Sequence, residues 1–312
     1  MAFNTPESVV LGDSARSGLG IQGVTCPQFS SEPQEFPLLY TLSIKHNLIK
    51  AIPANSLPTT LKSLFINNCS LSKVPTDVFK LQGLTELGLA HNELGDSFDE
   101  SKLPSTLTQL NIGWRGLKRA PVNLPKGTKL ITLDIPGNTL DPDDIETLPA
   151  SITTLRIQDA KLSRIPIGIG SHFANLSLLD LSSNPLETIK SGELPSSLAS
   201  LIVSGATLIK LPDDALPKAL AVVNITDSNL EEMPYQLSYY RAREFINLSG
   251  NKITTVDQMS AEKIDLSRNE SASFSGRITD TLVLDLSFNR LTNFTLSPKI
   301  NTIKILDLRV TS

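Results

Sequence analysis

The sequence is poor in the residues that build metal centres, disulfide frameworks and nucleic-acid surfaces. Its 312 residues include two cysteines, three histidines and one tryptophan. Two cysteines cannot form a disulfide framework, and His46, His91 and His172 are far apart, without metal-ligand spacing. No basic run exceeds two residues and the formal net charge is −4, which argues against nucleic acid as a partner. The sequence therefore predicts no cofactor, no metal and no nucleic-acid ligand.

Long apolar runs and catalytic motifs are also missing. No run approaches the roughly 18 apolar residues of a membrane helix, and the first ten residues lack a signal peptide's apolar core, so membrane attachment would need a flanking segment. A GxGxxG spacing at Gly18, Gly20 and Gly23 has no strand before it, and three prolines within residues 24–37 exclude a helix after it. GxSxG, HExxH and P-loop motifs are absent. We therefore expect a protein that is not an enzyme.

What the sequence does contain is an internal repeat. Five segments of 19 residues begin with Leu-Pro, at positions 57, 103, 148, 194 and 216, and segments such as LTELGLAHNEL (84–94) follow the pattern LxxLxLxxNxL. This pattern is the leucine-rich repeat. Aligning it predicts thirteen strands spaced by 22 to 24 residues, apart from two units of 18 and 20 residues. The strands begin near Leu42, Leu64, Leu87, Leu110, Leu133, Leu155, Leu179, Leu201, Val223, Ile246, Ile264, Leu284 and Leu306.

The repeat predicts a fold. Alternate residues of xLxLx point inward, and no coil can bury its own apolar face, so the coils must stack in series. We predict an α/β repeat, a leucine-rich-repeat solenoid (horseshoe) with a parallel concave β-sheet of about thirteen strands and an irregular, helix-poor convex side. Residues 1–35 are assigned to an N-terminal cap and residues 36–312 to the solenoid. The last strand has no capping segment behind it, so we expect the native chain to continue.

The ninth position of the motif predicts a structural ladder. An asparagine there lies inside the turn after the strand, where its amide can satisfy backbone groups of adjacent coils. Cys69, Arg115, Ala160, Ala206 and Ser228 replace it in some repeats. The predicted ladder consists of Asn47, Asn92, Asn138, Asn184, Asn251, Asn269 and Asn289.

Outward positions of the sheet are the candidate partner-binding positions. Five of the thirteen central ones are Asp; they indicate either an acidic stripe for a basic partner or, as we favour, a solvated face. In the N-terminal half, aromatic and arginine side chains of neighbouring coils suggest a binding hot spot. Alternatively, Trp114 folds down over the gap left where Arg115 replaces Asn. The candidate partner-binding residues are Phe65, His91, Asn111, Trp114, Arg115, Asp134, Arg156 and Asp180.

Six Asn-X-Ser/Thr sequons occur, against roughly four expected by chance, which is a weak sign of secretion. Asn269 lies in the ladder and should not carry a glycan. The candidate glycosylation sites are Asn68, Asn175, Asn224, Asn247 and Asn293.

Stretches such as LSKVPTDVFKLQGLTELGLAHNEL resemble the typical repeats of extracellular receptors and secreted matrix proteins. The LPxxLxxLxI units are similar to ectodomains of oomycete and other protist receptor-like kinases, and more distantly to bacterial effectors. The resemblance implies a glycoprotein at the cell surface or outside the cell, with a signalling role, that binds a protein or peptide on its concave face. The alternative is a cytoplasmic scaffold or pathogen effector that binds a host protein, consistent with two cysteines and no disulfide-bonded cap.

Overall fold

The computed structural model describes residues 8–10, 38–94, 98–114, 116–238, 243–256, 258–275, 277–296 and 302–309. The chain forms two compact units, Met1–Ile152 and Thr153–Ser312. Each unit is a stack of leucine-rich-repeat coils with parallel strands. Arg115 and the three glycines of the GxGxxG spacing lie outside the described residues.

The described residues of the first unit form six parallel strands, paired in chain order. They are β1 (Ser8–Val10), β2 (Thr41–Ser43), β3 (Ser63–Phe65), β4 (Glu86–Gly88), β5 (Gln109–Asn111) and β6 (Thr132–Asp134). Strand β1 was not predicted; it belongs to the segment assigned to the cap and pairs with β2. A three-residue strand has too short a pattern to be recognised before its partner strand is known.

The second unit contains the remaining eight predicted strands. They are β7 (Thr154–Arg156), β8 (Leu178–Asp180), β9 (Ser200–Ser204), β10 (Val222–Thr226), β11 (Arg243–Asn247), β12 (Gln258–Asp265), β15 (Val283–Asp285) and β17 (Ile305–Asp307). Each pairs with the next in parallel. With β2 to β6, all thirteen predicted strands are therefore confirmed.

The inward residues form the core of each unit. Leu64 and Ile66 in the first unit, and Leu201 and Val203 in the second, are completely buried, as alternation along a strand requires. The residues between them are half-buried on the opposite face of the sheet. The core is thus continuous from coil to coil within a unit.

The returning arms contain little helix in the described ranges. The first unit has 3-10 helices at Thr76–Lys80, Glu100–Lys102 and Pro142–Thr147, and the second has one at Tyr235–Ser238 and an α-helix, α1, at Ile169–His172. No described helix is long and apolar enough to cross a bilayer. The helix-poor convex side is therefore confirmed.

The two short repeats differ from the others. The arm of the 20-residue repeat contains the extended segments β13 (Ser273–Phe274) and β14 (Arg277–Thr279), and the following repeat of 22 residues contains β16 (Asn293–Phe294). Strand β13 pairs with β16, and β14 pairs with the start of β12. A coil of 18 or 20 residues must cover its circuit with fewer residues, and extended backbone covers about 3.3 Å per residue against 2.0 Å for a 3-10 helix.

Candidate recognition surfaces

Four residues with positive φ follow one another along the edge of the first unit's sheet. His46, Asn68, His91 and Trp114 have φ between 53° and 60°, and each precedes the ladder position of its coil. We call these four residues the rim column. Left-handed backbone costs a side-chain-bearing residue about 1–2 kcal/mol, which is why glycine or asparagine usually takes such positions. Two histidines and a tryptophan therefore occupy positions that disfavour them locally.

Neighbouring side chains of the rim column contact each other. Nδ2 of Asn68 lies 2.9 Å from Nδ1 of His46. The ring of His91 meets that of Trp114 edge-on, with centroids 4.9 Å apart and an interplanar angle of 79°. On its other side Trp114 packs against Gly137, where a Cβ would collide with the indole.

Trp114 is half-buried and does not project freely from the rim. Gly137 in the next coil leaves room for the indole to lie down, as in the alternative in which Trp114 folds down. His46, by contrast, was missed as a member of this surface. The signal that could have found it is its position immediately before Asn47, the same place that His91 holds before Asn92.

The pKa of His91 is lowered. Partial burial disfavours the imidazolium, and the nearby His46 adds repulsion between the two charged forms. The rim column therefore carries a histidine that resists protonation in the folded protein.

Phe65 lies on the same face of the sheet, on β3. Its ring is half-buried; Nζ of Lys45 is 4.5 Å from the ring centroid, a cation–π contact. A Cβ at Gly88 would come within 2.8 Å of the amide group of Asn67 and within 3.1 Å of Cδ1 of Phe65. Glycine at 88 thus leaves room for both side chains.

The other candidate residues are in different surroundings. Asn111 and Asp134 are half-buried, and Oδ1 of Asn111 accepts a hydrogen bond from the backbone N–H of Gly113 at 3.2 Å. Arg156 is half-buried on β7 in the second unit. Among the candidates, the rings of His91 and Trp114 are in contact, Asn111 and Asp134 are register partners on β5 and β6, and Arg156 and Asp180 are register partners on β7 and β8.

Asp180 does not suit a partner contact. Only 8% of its surface is exposed. Its Oδ2 accepts from Nε2 of Gln158 at 2.7 Å, and its Oδ1 accepts from the N–H and Oγ of Ser182. These bonds use the carboxylate within the sheet, so Asp180 is corrected to a structural residue.

The ladder asparagines hold neighbouring coils together. In Asn184, which is completely buried, Nδ2 donates to the carbonyls of Ile157 and Leu181 at 2.7 and 2.8 Å. Its Oδ1 accepts from the N–H groups of Ala160 and Leu162 at 2.9 and 3.0 Å. Asn92, Asn138, Asn251, Asn269 and Asn289 are buried and bond in the same way, while Asn47 donates to Ile44 and Lys45.

Two substitutions in the ladder keep part of this bonding. Sγ of Cys69 donates to the carbonyl of Ile44 in the preceding coil at 3.0 Å, as Asn184 donates to that of Ile157. Oγ of Ser228 donates to the carbonyl of Thr226 in its own coil at 2.7 Å and accepts from the N–H of Ala206 in the preceding coil at 3.3 Å. Cysteine therefore replaces the amide donor and serine the amide acceptor, which the sequence alone did not predict.

The sequons differ in accessibility. Asn68, Asn175 and Asn293 are exposed. Asn224 and Asn247 are half-buried on the exposed face of β10 and β11, and Asn269 is only 6% exposed. No group of three or more potential metal ligands occurs in the described ranges.

Comparison with known proteins agrees with this architecture. A family model described as Leucine Rich Repeat matches residues 175–201. The chain belongs to the leucine-rich-repeat proteins. It is 29% identical to podocan-like protein 1 of Mus musculus over 296 residues, covering 87% of this chain and 52% of that protein. It is 34% identical to keratocan of Gallus gallus over 158 residues, covering 49% and 44%.

Two solved structures share the fold. A leucine-rich-repeat protein of Leptospira interrogans superposes with a TM-score of 0.68 at 21% identity, covering 86% of this chain and 78% of that one. YopM, a leucine-rich effector protein from Yersinia pestis, gives 0.59 at 23% identity, covering 88% and 84%. At these identities the likeness shows the fold alone.

The relatives matched by sequence also indicate where such proteins are located and whether they are enzymes. Podocan-like protein 1 and keratocan are secreted, non-enzymatic small leucine-rich proteoglycans of the extracellular matrix. These comparisons support an extracellular leucine-rich-repeat protein that is not an enzyme, and they support the effector alternative less. The chain spans about half the length of podocan-like protein 1.

Proposed function

We propose that the chain is a non-catalytic recognition module of an extracellular protein, and that the rim column of the first unit contacts its protein or peptide ligand. The single observation that supports this proposal is the contact between the rings of His91 and Trp114 in this column, whose centroids are 4.9 Å apart. Candidate rim contacts beyond this column are Phe65, Asn111 and Asp134, which lie on the adjoining strands.

The chemistry of the column supports this role. Its backbone geometry does not distinguish it, because the same position of the repeat has positive φ in the second unit, for example at Asp159, Ser183 and Phe288. His46, Asn68 and His91 are exposed and offer hydrogen-bonding groups beside the half-buried indole. An aromatic ring held by its neighbours loses little side-chain entropy on binding, which is why tryptophan is enriched in hot spots.

The proposal is tested by binding. The labelled chain is applied to a panel of purified extracellular-matrix proteins and receptor ectodomains, and each association is repeated with the Trp114→Ala variant. We expect at least one partner whose affinity falls by about tenfold or more in the variant, as for a hot-spot residue. Tyr235→Ala is the matched control, since it truncates a 52% exposed aromatic residue outside the rim column.

Stability decides how the result is interpreted. Because Trp114 is half-buried against Gly137, we expect its truncation to lower the unfolding free energy by about 1–2 kcal/mol without unfolding the domain. Partners that bind both variants equally, or are lost equally with Tyr235→Ala, would contradict the assignment of the rim column.

The flanking sequence separates a receptor ectodomain from a secreted matrix protein. Sequencing the native transcript on both sides of this segment tests the two. A membrane helix and kinase-like domain downstream would identify the ectodomain, whereas a secretion signal with no membrane helix would identify the matrix protein. A cytosolic start at Met1 with a short C-terminal cap would instead support the scaffold alternative.

A further inference from the structure

A cleft of about 630 Å³ separates two returning arms of the second unit. One wall is formed by residues 163–171, which include part of α1, and the other by residues 187–193. We call it the arm cleft. It lies between the arms rather than on the sheet, and its volume falls within the range of about 300–1,000 Å³ that is usual for ligand pockets.

The two arms separate next to a place where a backbone hydrogen bond is missing. In several coils, the residue after the ladder position donates its N–H to the final position of the motif in the preceding coil, as Thr207 does to Leu186 at 2.9 Å. Pro185 holds this place beside the arm cleft and has no N–H to donate. The carbonyl of Leu162, which would accept the bond, has no partner among the described residues. The same bond is made by Thr139, Lys252, Glu270 and Arg290.

Backbone groups on both walls have no protein partner. Glu187 and Thr188 on one wall make no backbone hydrogen bond within the described chain, and the same is true of Ser163 and Ile165 on the other. Backbone N–H and C=O groups need hydrogen-bond partners, so these groups bond to water or to a ligand. The walls therefore offer the same donors and acceptors as an unpaired strand edge.

The cleft is preformed, because the two arms also meet at a fixed contact. A Cβ on Gly170 would come within 2.8 Å of the carbonyl oxygen of Gly192 and 2.9 Å of that of Glu193. The carboxylate of Glu193 accepts from the N–H of Lys190 at 2.7 Å, which holds the turn in that arm. A ligand therefore enters a cleft whose walls are already in place, which lowers the cost of binding.

The side chains of the cleft favour an occupant without charge. Two carboxylates, from Glu187 and Glu193, and two cations, from Arg164 and Lys190, line it, so their formal charges cancel. Ile167 also lines the cleft, and 61% of its surface is exposed. An apolar side chain of the occupant can therefore cover this isoleucine.

We propose that the arm cleft binds an extended, uncharged segment of a partner polypeptide. The backbone of the segment bonds to the unpaired groups of the two walls, as when a strand is added to the edge of a sheet, and an apolar side chain packs on Ile167. A helix would not make these bonds, because its backbone groups bond to one another. The inference goes beyond the proposed function, since this site lies in a different unit from the rim column and off the sheet.

Hexapeptides serve as the probe. A positional-scanning library of acetylated and amidated hexapeptides, built from uncharged residues, is labelled for fluorescence anisotropy and titrated with the full chain. We expect at least one peptide to bind. The same peptide with N-methyl groups on alternate residues, in either register, keeps its side chains but loses half of its N–H donors, and should bind at least about tenfold more weakly.

A proline substitution tests the origin of the cleft. Pro185→Thr restores the N–H that Thr207 supplies in its own coil. We expect this N–H to bond to the carbonyl of Leu162, narrow the cleft and weaken peptide binding about tenfold, while the free energy of unfolding does not fall. Pro212→Thr is the matched control, because Pro212 is an exposed proline of the same unit outside the cleft, and it should change affinity less than twofold.

An isoleucine substitution tests the apolar contact. Ile167→Asp places a charge where the apolar side chain of the peptide packs, and should weaken binding about tenfold. Ile209→Asp alters an isoleucine of the same unit that is 57% exposed and lies outside the cleft, and should leave the affinity within twofold. Circular dichroism checks that both variants are folded.

Four outcomes would overturn the proposal: no library peptide binds, the N-methylated peptides bind equally well, Pro185→Thr keeps the wild-type affinity, or Ile167→Asp and Ile209→Asp lose affinity equally. Because Trp114→Ala changes a residue of the first unit, its effect on native partners is independent of the peptide result. The proposed function and this inference can therefore fail separately.

Discussion

The strongest quantitative prediction concerns Asn184. Replacing it by alanine removes the partner of four buried backbone groups, the N–H groups of Ala160 and Leu162 and the carbonyls of Ile157 and Leu181. Leaving a buried polar group unsatisfied costs about 1–3 kcal/mol, so four of them lower the unfolding free energy by about 4 kcal/mol or more. Domains are stable by about 5–15 kcal/mol, so the variant should be severely weakened.

Denaturant unfolding followed by circular dichroism measures the effect. Asn175→Ala is the matched control, because Asn175 is an exposed asparagine of the same unit, and it should change stability by less than about 0.5 kcal/mol. A loss for Asn184→Ala no greater than that of the control would refute the reasoning, since it would mean that water replaces the amide at no cost.

A second substitution separates the donor from the acceptor. Asn184→Asp keeps an oxygen for the two N–H groups but turns another toward the carbonyls of Ile157 and Leu181. Burial and these carbonyls favour the protonated acid, so the pKa of the introduced carboxyl is raised in the folded state. The variant should therefore gain stability, relative to wild type, as the pH falls through that raised pKa.

Three further predictions follow from the first unit and the sequons. The folded pKa of His91 is lowered, so its contribution to stability is complete above the unfolded value of about 6.5 and is lost as the pH falls below it. His91→Gln should thus lose less stability than wild type between about pH 7.5 and 5.5 in denaturant titrations; an equal loss would exclude this role. Gly137→Ala should destabilise by at least about 1 kcal/mol and shift the Trp114 fluorescence, because φ is 64° and the Cβ meets the indole. Asn175→Gln should remove one glycan mass from protein secreted by eukaryotic cells, and an unchanged mass would show that this exposed sequon is unused.

Most of the fold could be predicted from the repeat period. Inward residues such as Leu201 and Val203 recur at fixed intervals, and a coil that cannot bury its own face must stack on the next. The positions of all thirteen strands therefore followed from local sequence. The extended segments β13 and β14 did not, because their conformation depends on how many residues remain to close a shortened coil.

The candidate site could be predicted only in part. Trp114 and His91 were singled out by residue type, and the structure places their rings in contact. Asp180 was selected from its outward register position. That position cannot reveal that Gln158 of the neighbouring coil donates a hydrogen bond to its carboxylate. His46 was missed although its position before Asn47 matches that of His91 before Asn92, because that position was not compared between coils.

The sequence by itself determined that this chain is a leucine-rich-repeat protein, since the apolar period leaves only one way to build a core. It also determined which face of each strand is outward, because alternate residues of a strand point to opposite sides. Only the tertiary structure decided what those outward residues do. A side chain such as Trp114 lies down or projects according to the space left by a residue one coil away, and that residue, Gly137, is distant in sequence but adjacent in space.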